Sequence, residues 1–149
     1  MSKDNKKVKV GTFPGCTIRD MCDHIKPILR RKPDQQIIHV GTNSLRDSES
    51  PSGCCNEIIN HVSSIKRDAT NTDVVLSSLT ARSDDEQLAI RVEEVNSTLR
   101  DFCRQNQWKI IVHSNIVAEH HLNRSGLHLN RIGTSRLARN FLDFVDHSD

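Results

Sequence analysis

An α/β architecture on a parallel sheet is the fold class this sequence predicts, and two observations predict it. Short β-branched runs alternate with longer segments of helical period along the chain, which is how strands joined by crossover helices look in sequence. The runs are also nearly continuous in apolar character, as strands covered on both faces must be. A three-layer αβα sandwich follows, with helices on either side of four recognisable strands. The length, 149 residues, suits one hydrophobic core, so residues 1–149 are expected to form a single domain.

The strands are expected at residues 7–13, 36–40, 73–79 and 109–113. The first helix should begin at Thr17, a hydroxyl that can cap free N–H groups, with Asp20 near its positive end and Ile18, Met21, Ile25 and Leu29 along one stripe. Pro27 should kink it or end it early. The second helix is expected over residues 53–69, burying Cys55, Ile58, Val62 and Ile65. The third has Ser83 and Glu86 spaced as a capping box, followed by the stripe Leu88, Val92, Val95, Leu99 and Phe102. The last should follow Gly133 and turn Leu137, Phe141, Phe144 and Val145 inward, with Arg136 and Arg139 left to water. Residues 44–53, rich in Ser, Asp, Pro and Gly, read as a loop, and residues 114–131 as a longer polar connection.

Composition narrows the function classes. The 35% hydrophobic and 27% charged fractions are those of a globular protein, and 3% aromatic leaves the core to Ile, Leu and Val. Twenty-one basic against nineteen acidic residues gives +2, too little to imply nucleic acid or an anionic membrane. Neither a signal peptide nor a membrane span is visible. Five cysteines with no C-x-x-C pair point to reduced thiols. The expectation is an intracellular, cytoplasmic protein.

In parallel α/β sheets ligands bind beyond the carboxyl ends of the strands. The segments there are Phe13-Pro14-Gly15-Cys16-Thr17, Gly41-Thr42-Asn43-Ser44, Thr80-Ala81-Arg82-Ser83, and a loop carrying His120, His121 and His128. Gly15 could serve a sharp turn or offer its N–H to a ligand. Asn43 could close an Asx turn, cap a helix or donate its amide. His128 could bond backbone or act as a base. His113, His120, His121 and His128 lie close in sequence, but they lack the H-E-x-x-H pattern and a completing carboxylate or cysteine pair, so no metal and no cofactor is expected.

Three of these segments, in order, carry a family resemblance. Phe13-Pro14-Gly15-Cys16-Thr17, then His39-Val40-Gly41-Thr42-Asn43, then Gly126-Leu127-His128-Leu129-Asn130-Arg131-Ile132-Gly133 resemble the second, third and fifth blocks of SGNH (GDSL-type) hydrolases over residues 7–146. The Gly-Leu-His-Leu-Asn form is especially similar to SGNH-like modules in invertebrate retrotransposon reading frames. The resemblance implies a flavodoxin-like SGNH hydrolase fold and carboxyl-ester hydrolysis. It assigns the oxyanion hole to Gly15 and Asn43 and the general base to His128, with a small ester or acyl compound as substrate.

Two departures from the family pattern stand out. The block with the nucleophile, a strand ending in Gly-Asp-Ser, is not found, and Cys16 would need a depressed pKa and a base in reach to replace it. The aspartate that orients the histidine is replaced by Ser125, and neutralising the corresponding acid in serine proteases costs about 10⁴ in rate. Glu119 is the candidate substitute. A weak or inactive esterase on a truncated or degenerate chain is therefore expected. In the family the missing strand lies between the next two, so strands 7–13 and 36–40 must close up or stay unpaired. The alternative is a non-catalytic binding module that takes a partner, a lipid or nucleic acid at the same strand-end edge, where Arg82, Arg124, Arg131, Arg136 and Arg139 could form a basic rim for phosphates.

Overall fold

Local capping signals and one apolar layer organise the chain. A computed structural model describes residues 7–47 and 50–147. Along it run α1 (Ile18–Leu29), β1 (Gln35–Ile38), α2 (Thr42–Asp47), α3 (Pro51–Asp68), β2 (Asp73–Ser77), α4 (Glu86–Asn106), β3 (Lys109–Ile111), α5 (Ala118–His121) and α6 (Arg131–His147).

Thr17 caps α1 with a reciprocal pair: its hydroxyl accepts from Asp20 N–H at 3.2 Å, and the Asp20 carboxylate accepts from Thr17 N–H at 3.0 Å. The helix runs only two residues beyond Pro27, as a proline without an N–H and with a bulky ring requires. Ser50 caps α3, accepting from Gly53 N–H at 3.1 Å, and proline follows at the first helical position, where no N–H is needed. The expected loop over 44–53 is thus shorter than read: its start is the helix α2 and its end belongs to α3.

α4 starts later than the sequence suggested. Asp85, not Ser83, is its cap, taking N–H groups from Gln87 and Leu88 at 2.9 and 3.1 Å. Ser83 N–H instead donates to Gly126 O at 2.6 Å, a tertiary bond that no local spacing reveals. α6 likewise begins before Gly133, because the Asn130 side chain accepts from Gly133 N–H at 2.8 Å.

The sheet is parallel in the order β1-β2-β3, with Ile38 beside Leu76 and Leu76 beside Ile110. One face carries Ile38, Val74, Leu76 and Ile110 against the buried stripes of α3 (Cys55, Ile58, Val62, Ile65) and α4 (Leu88, Val92, Val95, Leu99), with Ile18 and Ile25 of α1 beside them. Each fully buried Ile or Leu here contributes about 1.5–3 kcal/mol by leaving water. α6 covers the other face, where Phe141 meets His39 and His113, so the three layers are helices, sheet, helix. Its inward residues Leu137, Phe141, Phe144 and Val145 are only half-buried.

Residues 7–13, expected as the first of four strands, do not join the sheet, which has three strands among the described residues. Val8 and Val10 are 47% and 83% exposed. Among the described residues no adjacent backbone offers Val8-Lys9-Val10 the ladder bonds that make a strand, which is the unpaired one of the two outcomes expected. The other three strands form close to their expected positions, each shortened at its end.

Candidate active site

The segment after residues 7–13 closes as a reverse turn, with Cys16 N–H donating to Phe13 O at 3.0 Å and Gly15 at φ +72°. Proline second and glycine third are what a type II turn needs. Nothing lies within 4 Å of where a Gly15 Cβ would stand, so glycine is required by backbone conformation rather than space. Its N–H has no backbone acceptor among the described residues. Asn43, exposed in the first turn of α2, donates through Nδ2 to Cys16 O at 3.4 Å. Ser44 adds a buried tie, its hydroxyl accepting from Ile18 N–H at 2.9 Å. The Gly15 turn and the Asn43 helix are thereby held side by side.

His128 is exposed in the turn before α6. Its backbone C=O accepts from Asn123 N–H at 2.9 Å, and its N–H lies 3.4 Å from Ser125 Oγ. Ser125 also accepts from Leu127 N–H at 3.2 Å and donates to the Asn123 side chain. Ser125 therefore shapes the turn rather than orienting the imidazole. Among the described residues no hydrogen bond reaches the His128 ring, and none links it to Glu119.

Arg82, expected on an exposed rim, is 4% exposed and does not belong to one. Its guanidinium grips Asp84 at 2.6 and 2.7 Å and donates to Thr42 O at 3.1 Å. Asp84 N–H and Ser83 N–H both donate to Gly126 O. One buried ion pair thus joins the loops that carry Asn43 and His128, and a side chain at Gly126 (φ +71°) would fall 2.8 Å from Asp84 N. Sequence could not separate this arginine from its exposed neighbours, although Arg-x-Asp at a strand end is a spacing that allows such a fork.

The sequence reading also missed a polar chain beneath α6. Ser77 Oγ lies 2.8 Å from His39 Nδ1 and 2.6 Å from His113 Nε2. Asn140 donates to His113 Nδ1 at 3.0 Å and to Asn115 Oδ1 at 2.8 Å, while Asn115 donates back to Asn140 at 2.9 Å. With Nδ1 accepting, His113 carries its proton on Nε2 and gives it to Ser77, whose own proton points to His39. Burial pushes both imidazoles down to about 4, and for His39 the neighbouring His113 adds to the effect. Ser77 is 0% exposed, so this hydroxyl, despite its histidine neighbours, meets no substrate. The available signal was positional: all three residues stand at strand ends.

Elsewhere His121 Nδ1 accepts from Val117 N–H at 2.9 Å and is buried, whereas His120 is exposed. No group of three metal-ligating side chains forms among the described residues. All five cysteines are free. Cys16, beside Gly15, has its thiol pKa pushed up by burial and by Asp20, the opposite of what a nucleophile in place of serine needs. Cys22, in α1, sits 3.1 Å from His61 Nδ1; burial raises the thiol and lowers the imidazole, which keeps the pair neutral. No helix among the described residues is long and apolar enough to cross a membrane.

No protein-family model matches the chain, and no curated protein matches it. Solved structures do. A member of the lipolytic G-D-S-L family from Veillonella parvula superposes with a TM-score of 0.72 at 18% identity, covering 90% of this chain and 77% of that one. A GDSL-like lipase from Bacteroides thetaiotaomicron gives 0.72 at 13% identity, with 89% and 72% covered. An acetyl xylan esterase gives 0.72 at 17% identity, with 89% and 78% covered. At such identities the likeness shows the fold, which is that of the G-D-S-L (SGNH) hydrolases.

Proposed function

We propose, taking the SGNH hydrolase-type fold as premise, that this chain is an esterase-like domain whose strand-end site keeps oxyanion donors and a histidine but turns over esters weakly or not at all. The observation that carries the reading is the His128 ring, exposed and bonded to no hydroxyl, thiol or carboxylate among the described residues. A base without a nucleophile in contact can only activate water, and one without an orienting acid does so slowly. Gly15 N–H and the Asn43 amide supply the stabilising half of acyl transfer, each worth about 3–4 kcal/mol in the best cases when preorganised. The substrate class is a small ester, and the route calls for no cofactor or metal.

The test is p-nitrophenyl acetate hydrolysis by the folded chain beside His128→Ala and Ser77→Ala. A background rate in all three supports the reading. A rate far above background that is lost in His128→Ala shows that His128 serves an efficient active site with an unrecognised nucleophile or a well-activated water, and a rate lost only in Ser77→Ala shows that the buried serine opens to substrate. Either overturns it.

A second reading, a non-catalytic module binding nucleic acid within a mobile-element protein, is favoured by one observation. Arg124, Arg131 and Arg136 are exposed with no carboxylate partner among the described residues, while Arg139 shares Asp143 at 3.9 Å. Salt-dependent retention on immobilised RNA or DNA, weakened in the Arg131→Ala, Arg136→Ala double variant, supports it; flow-through at low salt removes it.

A further inference from the structure

Two metal-binding side chain types meet where α1 packs beside α3. Cys22 stands in α1 and His61 in α3, thirty-nine residues apart, and the Cys22 Sγ lies 3.1 Å from His61 Nδ1. The two differ in access. Cys22 is exposed, whereas His61 is 5% exposed and its Nε2 has no hydrogen-bond partner among the described residues. Nδ1, the nitrogen that faces the thiol, is thus the one through which the buried ring meets a polar group. A thiol is a weak donor, and this one can also donate to the Ile18 C=O at 3.5 Å, so its proton is not committed to the ring. A ring nitrogen buried without a partner is costly. Hydrogen bonding by itself therefore does not account for a histidine at this position.

The geometry points to a two-ligand site for a soft monovalent cation, copper(I) or silver(I), held between the Cys22 sulfur and His61 Nδ1. Thiolate and imidazole are ligands that such ions select. Binding replaces the S–H proton: the proton leaves to solvent, S–metal and N–metal bonds form, and neither sulfur nor metal changes oxidation state. The thiolate and the ion cancel in charge, so the bound pair is as neutral as the hydrogen-bonded one. That neutrality suits a gap in which burial raises the thiol and lowers the imidazole. A zinc ion leaves a net positive charge there and finds two ligands where it takes about four; no group of three metal-ligating side chains forms among the described residues. Bonds of roughly 2.0 Å to nitrogen and 2.3 Å to sulfur, the lengths zinc sets, span about 4.3 Å in a line. The exposed Cys22 can turn outward to open the 3.1 Å gap that far. Gly15, Asn43 and His128 take no part, so the inference stands whether or not the chain hydrolyses esters.

The probe is silver(I) nitrate, which brings no redox step, titrated by calorimetry into the reduced full chain in chloride-free buffer. One ion should bind tightly, release one proton, shift the His61 ring nitrogen resonances with a proton kept on Nε2, and raise the melting temperature. His61→Leu should weaken binding at least about tenfold, because even groups that only support a metal ligand are worth that much. Cys22→Ser should abolish it, and Cys16→Ser, at the thiol that senses Cys22, should leave it intact. Circular dichroism checks the fold of each variant. Full affinity in His61→Leu means a lone thiol takes the ion and overturns the inference; loss in Cys16→Ser means a thiol pair does, with the same result. Zinc(II) binding as tightly as silver(I) also overturns it. If His61→Leu does not fold, His61 resonances left unmoved in the parent chain at saturating silver(I) refute the site directly.

Discussion

Mild acid should destabilise this protein before its carboxylates titrate, because of the polar chain under α6. An unfolded histidine titrates near 6.5, whereas His39 and His113 in the folded state stay neutral until about 4. Between those values the unfolded chain binds more protons. Stability is therefore complete above pH 6.5 and is lost as the pH falls toward 4. At pH 5 the difference amounts to about 2 kcal/mol for one ring and about 4 kcal/mol for two, against a typical total of about 5–15 kcal/mol. Opening of the half-buried α6 would let the rings reach water and hold the loss to the lower part of that range. His61, also lowered by burial, acts in the same sense. Urea unfolding followed by circular dichroism at pH 7, 6 and 5 reads the effect. His113→Gln, which can still bond Ser77 but cannot titrate here, should be less stable at pH 7 yet lose roughly half as much on acidification. A flat profile from pH 7 to 5, or the same slope in the variant, refutes the reasoning.

Other outcomes follow from the same contacts. Ser77→Ala strands two imidazole nitrogens in a buried layer and should cost about 1–3 kcal/mol in urea unfolding, while any ester hydrolysis stays at the parent rate. Arg82→Met leaves Asp84 without its buried partner and should cost about 3–5 kcal/mol; Asp84→Asn, which keeps an acceptor, should cost less. Gly126→Ala must move the Ser83 and Asp84 backbone and adopt a positive φ, so a loss of about 1–3 kcal/mol is expected with changed amide shifts in the His128 turn. Gly133→Ala drives a methyl group into the His121 carbonyl and should release α6 from α5, seen as faster hydrogen exchange in both.

What the sequence determined by itself was whatever depends on neighbours in the chain. The stripes of α3 and α4, the Thr17 cap, the Pro14-Gly15 turn and three parallel strands were legible because 3.6-residue periodicity, capping chemistry and φ preferences act over a few residues. The positions of Asn43 after β1 and of His128 in the connection after β3 were legible for the same reason, through the order of strands and helices, whereas no strand precedes Gly15 among the described residues. Tertiary structure alone decided the rest. Residues 7–13 look like a strand and are not one, because a ladder needs a second backbone and none pairs with Val8 and Val10 among the described residues. Arg82 looked like its exposed neighbours until Asp84, Thr42 and Gly126 closed around it. Ser83 lost the cap of α4 to Asp85 because its N–H was already committed to a loop more than forty residues away. His39, Ser77, His113 and Asn140 come from four separate elements or their ends, and only the packing of α6 on the sheet makes them one chain of hydrogen bonds. Contacts between distant segments leave no spacing to read; their energies exist only once the layers have met.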